Sequence, residues 1–257
     1  MACQSGEVRE PAVDVPDPLS RLELPVRLAT TLNQMAAGLI SAPEAEHRLR
    51  AEGRPHHVSD ESGRLGLEAD GSVGLRLALA RVSRLQGPWA LVVPMEGDLG
   101  GLRGPSDTNR RALEHGAVVI HHAGDLAWVV DEVGHGVQWT VLPCERPLLP
   151  DDPWQAARGL ATAIAQATDA LTGATVAGRQ PGHGAPSLGR GYPATSQTLL
   201  ERAWLVARAS DAGLQASAAA TMSHQVLIRE RVLRPLGRAA TRAISSAVSW
   251  PDHALVE

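Results

Sequence analysis

The sequence predicts an α+β fold: a small antiparallel sheet, a meander, packed with helices and followed by a helical C-terminal section. Three observations carry this. Short apolar runs separated by glycine-containing turns lie between Trp89 and Leu142, the pattern of strands joined in succession. Apolar residues recur at helical spacing from Leu28 to Leu39 and again from Trp154 onward. Proline-rich residues 143–153 divide the two regimes.

The 257 residues are 44% hydrophobic and 20% charged, enough to build a core and too balanced for global disorder. All 24 basic residues are arginine; lysine and phenylalanine are absent, Tyr192 is the only tyrosine, and asparagine stands only at Asn33 and Asn109. This depletion of residues with AT-rich codons reads as a GC-rich genome. The missing lysine also excludes chemistry. There is no amine for a Schiff base, no phosphate-loop or kinase lysine, and no serine–lysine pair. Arginine stays protonated and cannot replace lysine as a base.

Net charge is −4, so the whole chain is not a polyanion binder. The charge is uneven: residues 1–150 hold 14 Arg against 20 acids, whereas residues 201–249 hold 7 Arg against Glu201, Asp211 and Glu230. Cys3 and Cys144 form no disulfide framework. No charged-then-apolar leader stands before Cys3 and no apolar run reaches bilayer length, so a cytoplasmic protein without membrane attachment is expected.

Residues 1–20 are acidic and aperiodic and are expected to be disordered. A helix is expected from Pro25, with Leu28, Leu32, Met35 and Leu39 on one face. Ser41 and Glu44 match a capping box for a second helix that Gly53 can end. Arg54–Ser62 reads as a polar loop, Leu65–Glu68 as a short strand, and Asp70-Gly71 as its tight turn. Leu75, Leu79, Val82 and Leu85 fit a helix stopped by Gly87-Pro88.

Trp89–Pro94 reads as a buried strand and Gly97–Gly104 as a glycine-rich loop. A helix follows between Pro105 and Gly116. Ala117–His121, Leu126–Val130 and Val137–Leu142 are three strands joined by short turns, and Trp89–Pro94 joins their sheet. Asp152 caps a helix whose apolar face is Trp154, Ala157, Leu160, Ile164, Ala167 and Leu171. Residues 173–193 read as a linker, Thr195–Ala218 as a long helix, and Ser223–Val248 as another broken at Pro235. The expected organisation is a disordered N-terminus over 1–20, an α+β section over 21–150 and a helical section over 151–257. One core can serve both sections.

Gly101-Leu102-Arg103-Gly104-Pro105, then Ala112-Leu113 and Gly116-Ala117-Val118, resemble a pattern in uncharacterised proteins of GC-rich actinobacteria. Arg238–Ser246 (RAATRAISS) is similar to the C-terminal helices of the same group. The resemblance implies no activity and assigns no functional residue.

Three features are candidate sites. The Gly97–Gly104 loop leads into a helix start, where amides can hold an anion beside Arg103. Its G-x-x-G-G-x-x-G spacing is not a dinucleotide fingerprint, and a tight strand-to-helix connection is the simpler reading. His115, His121, His122 and His135 lie near Asp125, Asp131 and Glu132, but adjacent His121 and His122 point to opposite faces of a strand. Loop-exposed histidines, including His56 and His57, are therefore expected, with no metal and no cofactor. No serine or cysteine has the surroundings of a nucleophile, and Asp131-Glu132 and Asp151-Asp152 read as turn and cap residues. Finally, Arg231, Arg234, Arg238 and Arg242 line one helical face. That face suits an acidic protein surface or a second copy of the chain. Nucleic acid fits less well, because no aromatic residues for base stacking lie between the arginines. A solvated face neutralised by the acidic N-terminal half is the simpler alternative. The expected function is a non-catalytic interaction or regulatory protein using this helix. The alternative is an enzyme acting on a small anion at residues 97–109, with a central histidine as acid–base.

Overall fold

The computed structural model describes residues 19–50, 53–67, 71–171, 184–218 and 223–250. Among these, the helices are α1 Ser20–Ala36, α2 Ala42–Leu49, α3 Leu75–Val82, α4 Ser106–His115, α5 Pro153–Leu171, α6 Ala194–Ala218 and α7 Ser223–Ser249. The strands are β1 His56–Asp60, β2 Val73–Gly74, β3 Trp89–Val92, β4 Val118–His121, β5 Ala127–Val133 and β6 Gly136–Leu142. This is the expected α+β architecture with a helical C-terminal section. Most of residues 1–20, the Asp70 turn position and much of the 173–193 linker lie outside the described residues.

The sheet order is β2-β1-β6-β5-β4-β3. Strands β3 to β6 pair antiparallel in succession; short turns join β4 to β5 and β5 to β6, whereas residues 93–117, with α4, connect β3 to β4. The polar loop expected over Arg54–Ser62 is instead strand β1. It runs parallel to β6, from His56 beside Val137 to Asp60 beside Val141. Its inward positions are His56, Val58 and Asp60. Only one is aliphatic, so hydrophobic alternation does not reveal the strand. The buried polar groups are satisfied instead: the Trp139 indole donates to His56 Nδ1 at 3.1 Å, and Asp60 accepts from the Leu65 amide at 2.9 Å. Leu65 and Leu67 are buried without forming the expected strand.

One apolar cluster joins both ends of the sequence, holding Leu28 of α1, Trp128 of β5, Leu200 of α6 and Ile244 of α7. Trp128 and Trp139 are each 1% exposed and supply bulk that phenylalanine does not provide here. A second cluster lies under α4 and includes Val92, Ala112, Ile120 and Cys144. Strand β3 is at the sheet edge, and side chains close that edge. Asn33 Oδ1 accepts from the Trp89 amide at 2.7 Å, and its Nδ2 donates to the Trp89 carbonyl at 3.0 Å. Ser249 Oγ accepts from the Leu91 amide at 2.9 Å. These contacts fix α1 and the end of α7 against β3 and cover backbone that could recruit another strand.

Several boundaries differ from expectation. Helix α1 begins at Ser20, so Pro25 lies inside it and is buried. Helix α7 runs through Pro235, whose ring is exposed, so the carbonyl lacking its usual partner lies on the wet face. Trp154 is 65% exposed rather than part of the apolar face of α5, and the Arg158 guanidinium lies 4.7 Å over its ring. The caps follow the sequence. The Ser41 hydroxyl accepts from the Glu44 amide, Gly116 ends α4 in the left-handed region, and Asp152 accepts from the Trp154 and Gln155 amides.

Candidate functional site

Residues 93–101 leave the end of β3 and run beside α7. Helical spacing puts Arg231, Arg234, Arg238 and Arg242 on one exposed face of α7. Two of them meet the loop: Arg242 Nη2 donates to Asp98 Oδ2 at 2.7 Å, and Arg238 Nη2 reaches the Glu96 carbonyl at 3.5 Å. Arg234 turns along its own helix to Glu230 at 3.3 Å. The Arg242 contact, helped by the Gly100 amide, holds the Asp98 carboxyl below its ordinary range.

Two cavities open along this line. One, of about 380 Å³, lies between the start of α1, residues 93–96, α6 and α7. Leu19, Leu22, Val93, Met95 and Leu214 give it apolar walls, and Arg21, Arg234 and Arg238 bring positive charge against Glu96 and Asp211. Ser210 also lines it; the residue is 1% exposed and its hydroxyl has no hydrogen-bond partner among the described residues. The other cavity, of about 280 Å³, adds Asp98, Gly101, Leu148 and Arg242. Both include Val93, Met95 and Thr241, so they are adjoining parts of one groove along α7.

The structure thus brings together Arg234, Arg238, Arg242 and part of the glycine-rich loop. Arg103 and Arg231 are exposed, and neither lines the groove. One amide of the loop is already taken within the chain. Asp98 supplies a carboxylate of the chain itself, accepting from the Gly100 amide at 3.0 Å. At Gly101, φ is +95°, and a Cβ would stand 2.6 Å from the Leu148 carbonyl oxygen. The glycine is there for close backbone approach.

The histidines are not uniformly loop-exposed. His121 is buried, with Nε2 2.8 Å from the Gln86 carbonyl oxygen and its ring 5.0 Å from that of Trp89. His56 is buried against Trp139, whereas His57 and His135 are exposed. His122 faces Trp250, confirming that His121 and His122 diverge. Asp131 and Glu132 are strand residues rather than turn residues, paired with His115 at 2.8 Å and Arg54 at 3.0 Å. Neither His121 nor His122 lines the groove. Among the described residues, no group of three or more His, Cys, Asp or Glu side chains is placed to share a metal ion. No described helix is long and apolar enough to cross a membrane. Burial, aided by Asp125 and Glu145, pushes the Cys144 thiol up to about 12.

Sequence reasoning misses Arg21, Met95, Ser210 and Leu214. Arg21 sits next to a segment expected to lack structure, and the others converge only through tertiary packing.

The site is therefore an apolar, arginine-rimmed groove between a sheet edge and a helical C-terminal section, in a mixed-sheet α+β protein. The chain matches the family described as Rv1486c-like protein, N-terminal domain, over residues 25–154. That span is just over half the chain, which belongs to this family. It contains every strand of the described sheet, whereas α6 and α7 lie beyond it. No curated protein and no solved structure matches the chain.

Proposed function

We propose that the protein is a non-catalytic interaction module whose α7 groove receives an acidic, apolar-containing segment of a partner protein. The observation that carries the reading is the pairing of apolar walls with Arg21, Arg234 and Arg238 at one 380 Å³ cavity. Leucine-like side chains would enter between Leu19, Leu22 and Leu214. Carboxylates beside them would reach the guanidiniums, whose fork geometry suits bidentate contact. Arg238 and Arg242 already contact the loop at Glu96 and Asp98, which supports a groove with defined walls. A double-stranded nucleic acid is disfavoured by the concave, apolar lining.

The test is fluorescence anisotropy on the full chain with two labelled peptides, one alternating Glu and Leu, the other alternating Lys and Leu. The acidic peptide is expected to bind saturably and to weaken as salt rises. The basic peptide, equally apolar, is expected not to bind. Equal binding of the two, or no binding of the acidic peptide at low salt, overturns the reading.

A further inference from the structure

Away from the groove, a cavity of about 310 Å³ lies where α1, α2 and the segment entering α6 meet. Arg27 of α1, Arg48 of α2 and Arg190 of the entering segment all line it, together with Thr31 and Ser187. No acidic residue is among its lining side chains. In a chain of net charge −4, three arginines contributed by three separate elements line this one cavity.

The arrangement is anchored rather than loosely gathered. Gln34 is buried in α1 at the cavity wall. Its Nε2 donates to the Leu188 carbonyl at 3.0 Å and to the Arg190 carbonyl at 2.8 Å. Its Oε1 accepts from Arg48 Nη1. One amide therefore fixes the Arg48 side chain and the Arg190 backbone to the same helix. Between Leu188 and Arg190, Gly189 has φ +76°, and a Cβ there would stand 2.7 Å from Gln34 Nε2. The close approach that positions Arg190 thus requires glycine. Glu44 contacts Arg48 at 3.3 Å from an exposed position and offsets part of one charge.

We propose that this cavity is a binding site for a phosphate-type oxyanion, either free or carried by a small phosphorylated molecule. Guanidinium forks match tetrahedral oxyanions, and the Thr31 and Ser187 hydroxyls add neutral donors. The volume is at the lower end for small-molecule pockets, and exceeds what a single phosphate fills. Pyrophosphate is therefore the first probe. The site is for binding alone; no bond is made or broken.

Isothermal titration calorimetry of the full chain with pyrophosphate and with inorganic phosphate tests this, at about physiological ionic strength set with chloride. The expected result is one saturable site for at least one of the anions. Arg27→Gln and Arg190→Gln should each weaken it by about tenfold, the loss of one charge-assisted contact. Arg234→Gln, in the α7 groove, should leave it unchanged. Thermal unfolding of each variant distinguishes lost binding from lost folding, and Arg190→Lys should recover part of the affinity by restoring charge without the fork. No saturable binding of either anion, or affinity unaltered in both Arg27→Gln and Arg190→Gln, overturns the proposal. Neither of those two residues lines the α7 groove, so this failure would leave the peptide-binding reading standing.

Discussion

Replacing Asn33 by alanine should destabilise the protein far more than the loss of one small side chain suggests. Asn33 is 2% exposed and its amide occupies the edge of β3 as a neighbouring strand would. It accepts from the Trp89 N–H at 2.7 Å and donates to the Trp89 carbonyl at 3.0 Å. Its Nδ2 also lies 2.8 Å from the Tyr192 hydroxyl, which in turn donates to the Val248 carbonyl at 2.7 Å. One side chain therefore ties α1, β3, the segment before α6 and the end of α7. Alanine leaves the Trp89 N–H without its acceptor in a buried setting, at roughly 1–3 kcal/mol, and weakens the partners of Nδ2 as well. A total of about 3 kcal/mol follows. For a chain of this size that corresponds to a fall in Tm of roughly 6–12 °C. Asn33→Asp keeps the acceptor but faces the Trp89 and Val248 carbonyls with negative charge, so it should not rescue. Tyr192→Phe removes one end of the network and should lose about 1 kcal/mol. Calorimetry and urea unfolding on all three variants provide the check. An Asn33→Ala protein within about 0.5 kcal/mol of the parent would refute the edge-closing role, since that is the range of ordinary surface changes.

Two further outcomes follow from charge and burial. With its thiol pushed up to about 12, Cys144 should resist iodoacetamide at pH 8 in the folded protein and react once urea unfolds it; rapid native labelling, mapped by mass spectrometry, would contradict its placement. The depressed Asp98 carboxyl means the unfolded state binds its proton more readily, so the Arg242 contact contributes stability above the ordinary value of 3.8 and loses it as pH falls through the lower folded value. Asp98→Asn should therefore lower stability at pH 7, by less than about 1 kcal/mol because Arg242 is largely exposed, with the difference closing in acid. A gap that widens in acid would reverse the assigned sign.

How much of this was legible in the sequence depended on what each element buries. Strands β3 to β6 announced themselves because their inward positions are Trp, Leu, Val and Ile between glycine turns. Strand β1 stayed hidden because His56 and Asp60 fill inward positions, and their burial relies on Trp139 and the Leu65 amide, partners distant or irregular in sequence. Trp154 misled in the opposite direction: helical spacing placed it on the apolar face of α5, but stacking with Arg158 lets it remain in solvent. The Arg stripe was readable from spacing alone. Its encounter with Glu96 and Asp98 was not, because nothing local records that α7 returns across the sheet edge to the loop after β3. Gln34 and Asn33 are adjacent polar residues inside an amphipathic helix, and that pattern is itself a sequence signal. Polar side chains facing a core require partners, and both organise the junctions around α1.

The central claim is that the arginine face of α7 binds a partner rather than merely holding the fold together. The most direct measurement is the affinity of the alternating Glu-Leu peptide for a chain with Arg231, Arg234, Arg238 and Arg242 all changed to Gln, across a salt series, with thermal unfolding on the same samples. The account predicts that the variant remains folded, because exposed ion pairs contribute little, while peptide affinity falls at least about tenfold and its salt dependence flattens. A variant that unfolds markedly early yet retains the parent's affinity and salt dependence would show that the stripe serves the fold, through Asp98 and Glu96, and that the proposed groove is not the binding site.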